Sequence, residues 1–174
     1  MSGELATRVT VWLALIGYLA GPLAALVGRA HPDWQRAARV LYSVGLLFFL
    51  AHVALAFHVY YGWSHSVAYA QTAQETFEVT GRRSGVGLYL NYLFTVLWCL
   101  DVADWRRRGL DGFRRRPPWV DFALHGFFLF MAFNATVVFE AGPVRWAGGF
   151  AAVALLVVAA VAAGPRRRRR VPLR

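Results

Sequence analysis

The sequence predicts an all-α fold: a polytopic integral membrane bundle of five transmembrane helices, with the N-terminus outside and the C-terminus cytoplasmic. Three observations carry this expectation. The 174-residue chain is 58% hydrophobic with a mean hydropathy of +0.43, well beyond a soluble domain of this length. Its apolar residues come in long blocks separated by short charged segments. Its arginines gather in segments that successive crossings place on one side of the membrane.

The blocks fall at about 9–28, 38–61, 87–105, 119–140 and 144–164. The first, VTVWLALIGYLAGPLAALVG, carries no charge and exceeds a signal-peptide core, so it reads as a retained helix. Gly17 and Gly21 offer that helix a close-packing face, and Pro22 a kink. The second and third blocks run from Ala38 to Tyr61 and from Gly87 to Trp105. The fourth begins after Pro117-Pro118, where proline suits a helix entry. The fifth is nearly all alanine and valine and stops at Pro165. Trp12, Trp34, Tyr60, Tyr61, Trp63, Trp105, Trp119 and Trp146 lie near the ends of blocks, as an interfacial aromatic belt requires. No internal repeat is visible, and residues 1–174 read as a single membrane domain.

All 19 basic residues are arginine, for a formal net charge of +10. Arg29, Arg36 and Arg39, the six arginines of WRRRGLDGFRRRPP and the six of the tail at 165–174 share one side of a five-span chain. The other side holds Arg8, Arg82, Arg83 and Arg145. This asymmetry sets the orientation and points to a bacterial-type inner (plasma) membrane. Clustering beside apolar blocks explains the charge through topology and anionic lipid, with no nucleic-acid partner. The lack of lysine excludes Schiff-base chemistry. The single Cys99 excludes an internal disulfide and cysteine-only zinc sites, and it reads as a small buried hydrophobe.

The outer connection at 62–84 contains SHSVAYAQTAQETFEVTG, which predicts a short helix capped by Ser64 or Ser66 and stopped by Gly81. Tyr69, Ala70, Ala73 and Phe77 share its apolar face. Such a helix suits the interface, either as a lid over the second and third spans or as a solvated connector.

Ionisable groups at membrane depth cost about 2.5–3.5 kcal/mol at mid-helix, so each requires a role. His52 is the deepest histidine of HVALAFHVYYGWSHS and the first axial candidate for a haem. His52 and His58 lie about 120° apart around a helix, so one ligand does not engage both. His125 is expected about 10 Å nearer the cytoplasm than His52, which disfavours a bis-histidine haem. His58, His65 and an acid such as Glu140 form the alternative outer-face metal set, with nitrogen and carboxylate donors suited to a transition metal. Asn91 and Asp101 share an arc of the third span with Thr95 and Trp98. Asp101 and His125 are expected to pair across spans three and four, in the manner of a quinone-head site. Asp104 and Asp121 are expected in ion pairs near the arginine loop.

No Ser-His-Asp order, P-loop or dinucleotide fingerprint occurs, which leaves the question of enzyme activity open. The leading expectation is a small subunit of a membrane redox complex, using His52, His125, Asp101 and Asn91 toward a haem, metal or quinone. Its partners are the bilayer and other membrane subunits, or further copies of itself. The alternatives are a non-catalytic membrane scaffold or assembly factor, and a carrier of protons or a small solute.

Overall fold

The computed structural model describes residues 2–27, 31–135 and 149. Regular structure among the described residues is helical throughout: α1 (Gly3–Val27), α2 (Pro32–Val59), α3 (His65–Thr80), α4 (Val86–Arg114) and α5 (Pro118–Phe133). The expected span at 144–164 apart from residue 149, the tail at 165–174 and the end of the expected fourth span lie outside the described residues.

Among the described residues, three segments are long and apolar enough to cross a bilayer: Gly3–Ala25 (23 residues), Pro32–Val59 (28) and Val86–Gly109 (24). At about 1.5 Å per residue, each exceeds the roughly 30 Å hydrocarbon thickness. The apolar part of α5, Trp119–Phe133, is shorter. α2 starts six residues before the expected Ala38, because Pro32 is preorganised for a first turn and Asp33 complements the positive end of the helix. Gln35 in that early turn is buried, and its Nε2 donates to the Ala25 carbonyl at 2.9 Å. It thereby satisfies an acceptor in the last turn of α1.

α1 and α2 form the tightest pair, packed antiparallel through glycine. A Cβ on Gly17 would lie 2.6 Å from the Gly45 Cα, and one on Gly45 would lie 2.9 Å from the Tyr18 nitrogen. Both neighbours are backbone, so only hydrogen at these positions permits the approach. Gly21 joins the same seam against Tyr42, while Gly45 is the partner on α2.

α2 ends where Gly62 and Trp63 take left-handed φ values of 53° and 61°. α3 then starts on Ser64, whose side chain accepts from the Val67 N–H at 3.3 Å, and stops on Gly81. Its buried residues are Ala68 and Ala73, whereas Tyr69, Ala70 and Phe77 are exposed. Of the expected apolar face, Ala73 is thus buried, while Ala70 and Phe77 are not. α3 lies over the start of α4, with Tyr69 packed on Gly85 and its ring 5.9 Å from that of Tyr89.

α4 runs antiparallel to α2, with Phe49 meeting Phe94 and Tyr42 meeting Trp105. α5 returns beside it, with Phe127 and Phe128 against Phe94. Gly109 breaks the end of α4 with φ 65° and ψ −173°, a conformation that glycine alone adopts readily. The chain that follows folds Arg116 back to the bundle. Leu47, Val40, Leu100 and Phe122 cover the outside of the bundle with exposed apolar surface.

Gly17→Val is expected to lower the thermal unfolding midpoint in detergent strongly, because branched carbons would meet α2 backbone. Gly126→Ala meets open space in α5 and is expected to be neutral or stabilising by up to ~1 kcal/mol. Equal melting shifts in the two variants would contradict the glycine seam.

Candidate functional site

A stripe on α4, Asn91, Phe94, Trp98, Asp101 and Trp105, recurs at alternating three- and four-residue spacing and so shares one helix face. Tyr18 of α1, Tyr42 and Phe49 of α2 and Phe128 of α5 converge on it. The Trp98 ring lies 5.6 Å from Tyr18, 5.6 Å from Tyr42, 5.5 Å from Phe49 and 5.5 Å from Phe94, centre to centre. Tyr18 also meets Phe128 at 5.6 Å. Each well-placed aromatic pair adds about 0.5–1.5 kcal/mol beyond burial, so this box is both core and scaffold for the site.

A cavity of about 150 Å³ lies above the box. Tyr18, Phe49, Phe94, Trp98 and Phe128 form much of its wall, and Arg8 and Asn91 line it on the side of the α1 N-terminus. A dry cavity of about this size accommodates a single six-membered ring. Trp98 is 1% exposed, yet its Nε1–H has no acceptor among the described residues. An unsatisfied buried donor of this kind costs about 1–3 kcal/mol.

Below the box lies a buried charge centre. Asp101 is 4% exposed and accepts hydrogen bonds from the Tyr42 hydroxyl at 2.9 Å and from the Arg116 guanidinium. Arg116 is 8% exposed and also bridges to Asp121. Burial alone would pull the Arg116 pKa down, but its bonds to Asp101 and Asp121 and their charges raise it above the ordinary arginine value. Arg116 therefore remains a cation. Asp104 pairs with Arg108 at 2.6 Å on the exposed side of the same end, and the Arg39 guanidinium sits 5.9 Å from the Trp105 ring centre. Both expected aspartate ion pairs, of Asp104 and of Asp121, are formed.

The expected Asp101–His125 pair is not. Asp101 is taken by Tyr42 and Arg116, while His125 Nδ1 lies 3.4 Å from the Tyr18 hydroxyl. The two tyrosines intervene, with ring centres 6.1 Å apart. The result is two adjacent polar groups, the pair Tyr18–His125, of which Tyr18 lines the cavity, and the triad Tyr42–Asp101–Arg116.

The other candidate residues separate. His52 Nδ1–H donates to the Thr7 carbonyl at 2.9 Å and clasps α2 to α1. The Thr7 and Tyr18 partners of His52 and His125 are eleven residues apart on α1, about 16 Å, so the two imidazoles do not converge on one iron. Asn91 is exposed but lines the cavity. His58 is exposed, and His65 Nδ1 lies 3.0 Å from the Tyr92 hydroxyl. Among the described residues no three His, Cys, Asp or Glu side chains gather as a metal site, and Glu140 lies outside them.

Tyr18, Tyr42 and Arg116 were not singled out by the sequence. A phenol in the middle of an apolar block needs a buried partner, and that signal was available for Tyr18. Nothing distinguishes Arg116 from the five other arginines of its loop before the chain folds. No protein-family model matches the chain, and no curated protein or solved structure shows significant similarity to it.

Asp101→Asn is expected to destabilise the protein by about 1.5–3 kcal/mol, because it removes one of the two carboxylates that compensate the buried guanidinium and weakens its charge-assisted hydrogen bond. Asp104→Asn, with a solvated partner, is expected to cost under about 1 kcal/mol. Thermal or denaturant unfolding in detergent reads both; comparable losses would contradict the assignment of Asp101 as the buried keystone.

Proposed function

We propose that this chain is a small multi-pass subunit of a membrane redox complex and that it binds a lipid-soluble quinone in the cavity bordered by Trp98 and Tyr18. In this reading five spans cross a bacterial-type inner membrane, with the N-terminus outside and the arginine-rich segments in the cytoplasm. The observation that carries it is an aromatic cavity, large enough for one ring, bordered by Tyr18, whose hydroxyl lies 3.4 Å from His125 Nδ1. Quinone chemistry needs an apolar slot for the ring and groups that hydrogen-bond its oxygens and move protons. Tyr18 lines the cavity with the His125 imidazole behind its hydroxyl, and Tyr42, Asp101 and Arg116 continue the polar path toward the arginine loop. The exposed apolar belt and the charged loop at Gly109 support the placement in lipid.

Haem and metal fit less well, since His52 is used as a helix clasp and stands apart from His125. A second reading, a non-catalytic membrane scaffold, is favoured by that clasp and by the Gln35–Ala25 bond, where polar groups serve helix association.

Solvent extraction of gently purified protein is expected to yield isoprenoid quinone at close to stoichiometric amounts. Met131→Trp, which adds bulk to the cavity wall, is expected to lower that yield severalfold without lowering the melting temperature. Quinone-free protein whose partner contacts survive substitution of Tyr18 and His125 would favour the scaffold. For topology, a cytoplasm-active reporter fused after Arg174 is expected to be active and a periplasm-active one silent.

A further inference from the structure

We propose that Arg8 makes this cavity selective for a ring that carries a negatively charged oxygen, such as the ionised hydroxyl of a hydroxylated quinone. The inference rests on the quinone reading for its ligand and adds the charge state that the site takes. Arg8, Val11, Trp12, Leu15 and Tyr18 share one face of α1, and all of them line the cavity. A helix presents side chains, not backbone, along such a face, so Arg8 meets the cavity with its side chain. That side chain is exposed, and a ligand at the rim can therefore reach it.

Asn91 joins Arg8 at that rim. The two stand five residues inside α4 and α1 respectively, about 7.5 Å along each helix axis. Asn91 is also exposed, and its amide carries N–H donors beside the guanidinium. The wall beyond them is apolar and aromatic, with Trp12, Phe49, Phe94, Phe128 and Met131. No carboxylate lines the cavity among the described residues, and Asp101 is engaged by Tyr42 and Arg116. The polar rim is thus a cation and an amide against a low-dielectric wall, where an opposite charge is held more strongly than in water. An ionised ring oxygen takes charge-assisted hydrogen bonds, roughly twice as strong as those of a neutral oxygen. The ring then fills the aromatic slot, and its charged oxygen stays at the rim.

The test uses the full-length protein in phosphatidylcholine nanodiscs, which carry no net-anionic lipid to compete for Arg8. The probes are pentafluorophenol, ionised at neutral pH, and pentafluoroanisole, the same ring with an uncharged ether oxygen. Binding is followed by isothermal titration at neutral pH, with protein-free nanodiscs subtracted. The wild type is expected to bind pentafluorophenol at least about tenfold more tightly than pentafluoroanisole. Arg8→Gln is expected to abolish that preference with no change in melting temperature, since the side chain is exposed. Arg8→Lys, which keeps the charge, is expected to retain much of it. The wild-type comparison needs no variant, so it decides even where a variant fails to fold. Equal wild-type affinities, or a preference unchanged in folded Arg8→Gln, would overturn the role of Arg8, and quinone still extracted from the purified protein would leave the quinone reading intact. A preference that disappears in Arg8→Gln, in protein that yields no quinone, would support the role of Arg8 and remove quinone as the ligand.

Discussion

A carboxylate inside an apolar helical bundle must be compensated where it sits, and the placement of Asp101 constrains much of this molecule. Transfer of an isolated carboxylate out of water is prohibitive, so its partners have to be delivered to it. Tyr42 arrives from α2 and Arg116 from the segment beyond α4. The second delivery explains the break at Gly109: a helix continuing straight would carry its arginines away, while the left-handed glycine allows the chain to come back. Asp121, near the start of α5, takes the other side of Arg116, so one cation joins the end of α4 to the beginning of α5. The charge centre thus acts as the fastening of a region whose helices otherwise make few direct contacts.

The opposite seam works by a different principle. α1 and α2 approach through Gly17 and Gly45 closely enough that backbone touches backbone, and polar clasps sit toward both ends. Gln35 holds the last turn of α1, and His52 holds Thr7 near its beginning. Lipid offers no hydrophobic drive for helices to associate, so close packing and interhelical hydrogen bonds have to supply it. His52 reads most simply in that light. Its depth in the helix demanded a partner, and a backbone carbonyl satisfies it.

Between the two fastenings the aromatic side chains leave a space. Large rings meet there in tilted and edge contacts, and the buried indole N–H of Trp98 has no acceptor among the described residues. The proximity of this space to the Tyr18–His125 pair turns a packing feature into a candidate ligand site. Neither half alone would suggest it.

Composition, block length and the local signals in the chain determined the helical class, the apolar segments long enough to cross a bilayer, the start of α3 at Ser64 and its end at Gly81. These are properties of residues close in sequence, where one helix cap or one run of apolar side chains suffices. The sequence also picked out Gly17 and Gly21 as a packing face and put Asp104 and Asp121 in ion pairs. Which arginine serves Asp101, which tyrosine meets His125, and where a cavity opens were decided only by tertiary structure. Those outcomes depend on the azimuth of each helix about its axis and on the turn at Gly109. A rotation of one residue, about 100°, exchanges buried for lipid-facing positions without altering the composition of the block. α3 shows the same limit: of its expected apolar face Ala73 is buried and Tyr69 packs on Gly85 and Tyr89, whereas Ala70 and Phe77 are exposed and Ala68 is buried instead.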